Sequence, residues 1–178
     1  QENRLMTMLD PEDFTIKRYT EDPKSFYDPG TPFFSLKYQS KPNEVHLALV
    51  NLEKNNLIKG VITQNIDGLH KGSGSRKVFE IRGTVKSATC IDCEREVVIE
   101  DLLLEQSDCA MAPVCPGCGA LLKPNVALND EPLPAEFLRA KEEAQKADLM
   151  ILIGSAIQES PDREIPALGV GPGVGITN

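Results

Sequence analysis

The chain has 178 residues, of which 40% are hydrophobic and 5% aromatic. This length is enough for one domain with a hydrophobic core and a small satellite. The formal net charge of −8 argues against binding to nucleic-acid phosphates or anionic lipid, so we expect neither partner. No segment reaches the roughly 18 apolar residues of a membrane span, and no signal peptide opens the chain. We therefore expect an intracellular, cytoplasmic protein, and the sequence leaves its oligomeric state open.

The first part of the chain predicts loops followed by a helix and two strands. Residues 1–41 are rich in Pro, Gly, Asp and aromatic residues, which indicates short helices and loops. A helix is predicted over 42–54, where apolar residues recur at helical spacing. The apolar run over 57–64 predicts a buried strand, and a glycine-containing loop leads to a second strand over 77–81.

The second part begins with a change of pattern. Residues 84–123 contain cysteines, charges and short apolar pairs. A helix is predicted over 133–147, with Leu138 on its apolar side, and the most hydrophobic strand follows over 148–156. A short strand is predicted over 172–177. Helices that alternate with apolar strands indicate an α/β domain with a parallel sheet and helices on both faces, here interrupted by a small cysteine-rich module.

Four of the five cysteines form two C-x-x-C pairs, Cys90 with Cys93 and Cys115 with Cys118, separated by 21 residues. Each pair can direct two sulfurs at one ion, and four thiolates are the tetrahedral ligand set that structural zinc prefers. A redox dithiol and buried free thiols are the alternatives, although a redox pair usually stands alone. The odd count and missing signal peptide favour metal over disulfides. We predict one structural zinc and a free thiol at Cys109.

Polar residues follow two of the predicted strands where each strand ends. Gln64, Asn65 and Asp67 follow the first strand, and Gly154 and Ser155 end the most hydrophobic one. In a doubly wound sheet, ligands bind beyond the carboxyl ends of the strands. The amides and carboxylate suit a ligand with amide and hydroxyl groups, and the Gly-Ser pair suits a phosphate. Turn capping by these residue types is an equally open interpretation.

The order of several motifs resembles the sirtuins, which are NAD-dependent protein-lysine deacylases. These motifs are TQNIDGLH, a Gly-Ser loop, a strand, Gly-Thr, the two C-x-x-C pairs, LKPNV, EPLP and IGS. The resemblance implies a Rossmann-like NAD-binding domain over 1–83 and 124–178, in which 1–41 forms the cofactor-loop and helical region. It also implies a zinc-binding module over 84–123. NAD and an acylated-lysine peptide or protein would meet between the two.

The resemblance implies roles for individual residues. In the family reaction the acyl oxygen attacks the ribose carbon as nicotinamide leaves, and a histidine then takes a proton from a ribose hydroxyl. Asn65 and Asp67 would be catalytic. The NAD-binding residues would be Gln64, Asn65, Ile66, Asp67, Gly154, Ser155 and Asn178. The acyl-lysine peptide would lie against Val126, Ala127, Asn129, Asp130 and Glu131.

The sequence departs from the family pattern at the catalytic position, where Arg82 stands in place of the histidine. A guanidinium is not deprotonated in proteins and has no acceptor, so Arg82 cannot act as the general base. We interpret His46 and His70 as structural residues. Asn129 and Asp130 replace an aromatic residue and a glycine, and polar groups there would weaken acyl-lysine binding because such a tunnel has apolar walls. A shift of the strand is the alternative.

The family's glycine-rich phosphate loop would precede residue 1, and the 178 residues do not include it. We interpret GVGIT near the other terminus as the strand that leads to Asn178. Either the sequence is a segment of a longer chain, or its pyrophosphate site is incomplete. Two functions are therefore considered: a sirtuin-type deacylase impaired by Arg82, and a catalytically inactive NAD- or partner-binding module with structural zinc.

Overall fold

The computed structural model describes residues 15–23, 41–99, 112–154, 162–169, 171 and 173–176. From residue 44 on, helices and strands alternate outside the segment 83–126, as predicted. The helices are α1 Ile16–Glu21, α2 Glu44–Lys54, α3 Leu69–Gly72 and α4 Ala135–Ala144, and a 3₁₀ helix covers Asp162–Leu168. The strands are β1 Val61–Thr63, β2 Val78–Glu80, β3 Gly83–Cys90, β4 Glu96–Val98, β5 Leu122–Val126, β6 Met150–Ile153 and β7 Gly173–Ile176.

Two pairs of parallel strands carry the large domain. Strand β1 pairs with β2, and β6 pairs with β7. Helix α4 and the 3₁₀ helix pack on this region through a buried cluster that contains Phe79, Ile81, Phe137 and Ile165. Parallel strands need crossover connections, which helices usually supply. The predicted parallel α/β architecture is confirmed.

Strands β4, β3 and β5 form a separate antiparallel sheet in that order. Its core consists of Ala88, Cys90, Ile99, Cys115 and Leu122, each at most 2% exposed. Strand β3 begins at residue 83 and β5 ends at residue 126. Both strands therefore extend beyond the predicted module over 84–123, and the division into domains remains a proposal.

The junction between β2 and β3 allows no side chain at Gly83. Its φ of +84° lies in the left-handed region that favours glycine. A Cβ added there would collide with the backbone carbonyl oxygen of Asn125. The adjacent Arg82 carbonyl accepts a hydrogen bond from the Ala127 N–H at 2.9 Å. The backbone of Arg82 is thus held against the end of β5.

Helices α2 and α4 are where they were predicted, but the first residue of α2 and the buried side of α4 differ from the prediction. Helix α2 begins at Glu44, because the Asn43 side chain accepts hydrogen bonds from the backbone of Val45 and His46. In α4 the buried residues include Phe137 and Ala140. Leu138 is 64% exposed, so its predicted position on the apolar side is wrong.

Strand β6 is entirely apolar, yet Ile151 and Ile153 keep 46% and 41% of their surface exposed. The described residues therefore leave one face of this strand partly open. Within the same residues, no helix is both long enough and apolar enough to cross a membrane.

Phe137→Ala and Leu138→Ala form a matched pair that tests which face of α4 is buried. Removing the buried phenyl group should lower the free energy of unfolding by about 3–5 kcal/mol, because a cavity remains in the core. Removing the exposed leucine side chain should change it by about 0.5 kcal/mol or less. Urea unfolding of both variants measures the difference, and equal losses would contradict the assignment.

Candidate active site and metal centre

The four paired cysteines converge on one point. Their sulfur atoms all lie within 4.8 Å of one another. Cys90 Sγ is 3.4 Å from Cys118 Sγ, and Cys93 Sγ is 3.6 Å from Cys115 Sγ. These separations exceed a disulfide bond of about 2.05 Å. They are close to the roughly 3.8 Å between sulfurs of a tetrahedral zinc site with Zn–S bonds near 2.3 Å.

The electrostatics of this cluster also fit a divalent cation. Hydrogen bonds from the backbone of Gly117 and Cys118 lower the pKa of Cys115 to about 6. For Cys118, a backbone hydrogen bond from Ala120 lowers the pKa, but the other three sulfurs of the cluster together with burial raise the value to about 12. Four thiolates therefore repel one another unless a cation is bound. Zinc held by all four would have no open position and would be structural.

The polar residues at the end of β1 divide into two groups. Gln64 and Asn65 are exposed, and the Asn65 N–H donates to Thr63 Oγ1 at 3.0 Å. Asp67 Oδ1 accepts a hydrogen bond from the Leu69 N–H at 2.8 Å, at the start of α3. The turn-capping interpretation therefore applies to Asp67, while Gln64 and Asn65 are exposed residues beyond the strand.

Arg82 is held by an acidic residue that the sequence analysis did not single out. Its Nε–H donates to Asp162 Oδ2 at 2.9 Å, and Gln64 Nε2 donates to the same oxygen at 2.7 Å. The side chain of Asp162 is 1% exposed and that of Arg82 is 28% exposed. One buried carboxylate thus joins the ends of β1 and β2 to the 3₁₀ helix.

A sequence signal for Asp162 exists, but it is weak. An arginine at the end of a buried strand needs an acidic partner, because an unpaired charge there is costly. Several acidic residues follow β6, among them Glu159 and Glu164. Nothing in the local pattern distinguishes Asp162 from these alternatives.

The structure describes two of the remaining predicted cofactor-binding residues, Ile66 and Gly154. Ile66 packs on the buried cluster around Tyr19, and its carbonyl accepts a hydrogen bond from the Val85 N–H at 2.8 Å. Gly154 directly follows β6 with φ +63° and is exposed, and no atom of the described residues lies within 4 Å of a Cβ built on it. A ligand could therefore approach the backbone closely there. Ser155 and Asn178 lie outside the described residues, as does Cys109.

The predicted peptide-binding segment is involved in internal contacts. Val126 is 7% exposed in the cluster with Tyr19, and Ala127 bonds to the Arg82 carbonyl. Asp130 Oδ1 accepts a hydrogen bond from the Ile16 N–H, at the start of α1, at 2.6 Å.

The remaining acidic residue of this segment is also paired. Glu131 forms an ion pair with Lys123 at 2.8 Å, and Asn129 is exposed next to Asp130. The two acidic side chains thus fix the segment to α1 and β5.

The two histidines contact each other. His46 is 6% exposed, and its ring centroid lies 4.5 Å from that of His70. His46 Nδ1 accepts a hydrogen bond from the Asn43 N–H at 3.3 Å, as part of the α2 cap. Burial, and secondarily the charge of His46, lower the pKa of His70, whereas Asp67 raises it. These contacts give both histidines structural roles.

Comparisons with known proteins agree on one family. The model of the Sir2 family matches residues 2–161. A relative from Caldanaerobacter subterraneus, named NAD-dependent protein deacetylase 2, is 37% identical over 92% of this chain. NAD-dependent protein deacetylase from Thermotoga maritima is 39% identical over 90%. The chain spans 66% and 65% of these two relatives, which is slightly less than two thirds of their length.

Solved structures give the same result. A Sir2 protein with a p53 peptide and NAD⁺ has a TM-score of 0.80 and 37% identity, over 92% of this chain and 70% of that one. A Sir2 protein bound to a propionylated peptide has the same TM-score, identity and coverage.

The metal centre is tested by Cys115→Ser, with Cys109→Ser as the control from outside the two pairs. We expect one zinc per chain in the unchanged protein, and loss of zinc with a lower unfolding temperature in Cys115→Ser. Cys109→Ser should retain the metal. Elemental analysis and thermal unfolding measure both effects. A metal-free protein that unfolds at the same temperature as the zinc-loaded one would contradict the prediction.

The lowered pKa of His70 predicts a pH dependence of stability. The unfolded chain takes up a proton at His70 near pH 6.5, whereas the folded chain does so only at lower pH. The unfolded state therefore binds more protons as the pH falls below about 6.5, and the free energy of unfolding decreases. Urea midpoints between about pH 7.5 and 5.5 measure this decrease. The decrease should be smaller in His70→Gln, and an identical slope in that variant would exclude His70 as its source.

Proposed function

Because the chain belongs to the Sir2 family, we propose that it is an NAD-dependent protein-lysine deacylase, or the greater part of one, whose deacylation step is impaired. The observation that carries this proposal is the contact of Arg82 with Asp162 at the catalytic position. Gln64, one of the proposed NAD-binding residues, bonds to the same carboxylate, whereas the proton acceptor of the family pattern is replaced. Nicotinamide adenine dinucleotide and an acyl-lysine peptide or protein are the proposed ligands.

The proposed cofactor site lies at the carboxyl ends of β1 and β6. Gln64 and Asn65 supply amides at the first strand end, and Asp67 follows them. The exposed Gly154 ends the second strand in a conformation open to a close backbone approach. When bound, NAD supplies the ribose carbon to which the acyl oxygen is transferred. Ser155 and Asn178 complete the proposed set.

Arg82 accounts for the proposed impairment. Its guanidinium has no lone pair for a proton. General base catalysis contributes typically 10²–10⁴-fold. A chain that binds both ligands without a base should therefore turn over slowly at best.

The alternative is an inactive NAD- or partner-binding module with structural zinc. It is supported by Asp130, whose carboxylate bonds to the start of α1, and by the neighbouring Asn129. A polar segment of this kind is poorly suited to an apolar acyl-lysine tunnel. We also propose a cytoplasmic location, supported by four cysteines that are arranged for metal and not as disulfides.

Arg82→His is the variant that separates the two functions. A neutral imidazole has one donor nitrogen and one acceptor nitrogen. One could bond to Asp162 while the other accepts a proton. We expect the rate of NAD-dependent deacetylation of an acetyl-lysine peptide to rise about 100-fold or more in this variant.

Arg82→Gln is the matched control, because it removes the charge without adding a base. It should remain as slow as the unchanged chain. Calorimetric titration with NAD is measured for all three proteins. Bound NAD without any gain in Arg82→His would favour the binding module, and rapid deacetylation by the unchanged chain would refute the impairment.

A further inference from the structure

A basic pocket lies at the amino ends of β1 and β2, at the other edge of this strand pair from the proposed NAD site. The two strands are parallel and pair from Val61 and Val78 onward. Lys59 and Arg76, which both line the pocket, each precede the first residue of their strand by two positions. The pocket has a volume of about 400 Å³. This volume is within the range of about 300–1,000 Å³ that is typical of small-molecule sites.

Three positive charges surround this pocket, on Lys54, Lys59 and Arg76. None of these side chains forms a hydrogen bond or an ion pair with the described part of the chain. Lys77 differs from them, because it pairs with Glu143 at 2.6 Å. In a chain of net charge −8, three cations around one pocket create a local potential of the opposite sign. The pocket should therefore attract anions.

The carboxylate of Glu53 also lines the pocket, but it is occupied by the backbone. It accepts a hydrogen bond from the Arg76 N–H at Oε2 and another from the Lys77 N–H at Oε1, both at 2.9 Å. These bonds fix the chain in front of β2 to the last turn of α2. The backbone of Arg76 is thus held in place while its guanidinium remains unpaired, and three cations outnumber the one carboxylate.

A structural interpretation accounts for only one of the three cations. Lys54 is in the last turn of α2, where a positive charge interacts favourably with the helix dipole. Lys59 and Arg76 lie outside this helix. They are brought together by the parallel pairing of β1 with β2, although like charges side by side repel each other without an anion between them.

The donor set indicates the class of anion. A guanidinium can donate two parallel hydrogen bonds to phosphoryl oxygens, and lysine ammonium groups add point charges. Adjacent phosphoryl groups place several negative charges within a compact volume. The carboxylates of an acidic peptide are spread along an extended chain, which fits a closed cluster of three cations less well.

We propose that this pocket binds a small molecule that carries adjacent phosphoryl groups, at a site separate from the proposed NAD site. Arg76 and Lys59 contact the phosphoryl oxygens, and Lys54 adds charge from the end of α2. Glu53 is the positioning residue, because it holds the backbone of Arg76. This inference does not depend on the identity of residue 82 or on turnover.

The test is calorimetric titration of the whole chain with inorganic pyrophosphate at low salt, because salt screens contacts between exposed charges. We expect one site per chain and tighter binding of pyrophosphate than of inorganic phosphate. The double variant Lys59→Gln with Arg76→Gln should bind pyrophosphate about tenfold more weakly, since it loses two charged contacts. Neither side chain has a partner in the described residues, so the unfolding temperature should stay the same. Arg76→Lys keeps the charge without the planar fork and should show a smaller loss.

Lys17→Gln with Arg139→Gln is the matched control, because it removes one lysine and one arginine that do not line the pocket. Its affinity for pyrophosphate should equal that of the unchanged chain. Equal losses in the two double variants would reduce the effect to net charge and overturn the inference. Displacement of pyrophosphate by NAD would also overturn it, because the anion would then occupy the other edge of the strands. Binding of hexaglutamate as tightly as pyrophosphate would replace the phosphoryl ligand with an acidic peptide.

Discussion

A buried carboxylate controls the geometry of the candidate site. The Asp162 side chain is 1% exposed, and a charge in that position is tolerated only when it is paired and hydrogen-bonded. Arg82 and Gln64 meet this requirement at 2.9 and 2.7 Å. Both side chains are consequently held at the ends of their strands, and loss of the Arg82 contact would leave the Asp162 charge without its ion-pair partner.

Arg82 and Gly83 connect the parallel strands to the antiparallel sheet. Gly83 leaves room for the backbone of β5, and the Arg82 carbonyl bonds to Ala127 just beyond that strand. Strand β5 belongs to the antiparallel sheet that bears the four cysteines. A zinc ion held by these cysteines would therefore stabilise the sheet against which Arg82 is held, although it would have no open ligand position for chemistry of its own.

Local sequence patterns predicted much of this arrangement, and long-range contacts account for the rest. The cysteine cluster was predictable from the two C-x-x-C pairs, because each pair forms a turn that directs its two sulfurs at one point. Strand ends were predictable from apolar runs followed by amides. The predicted position of Leu138 on the apolar side of α4 was wrong. Leu138 and Phe137 are adjacent apolar residues, and only tertiary packing decides which one is buried. The partners of Asp130 and Asp162 are 114 and 80 residues away, and no single-sequence pattern encodes such pairings.

The pairing of Arg82 with Asp162 also explains how a change at the catalytic position is compatible with the fold. A guanidinium on its own would bring an uncompensated charge to a half-buried strand end, whereas the carboxylate neutralises it. The same carboxylate could orient an imidazole through one ring nitrogen and leave the other free to accept a proton. The scaffold thus suits either side chain, because both can donate to Asp162. Since only the imidazole can also accept a proton, the proposed function makes residue 82 the position that decides between turnover and binding alone.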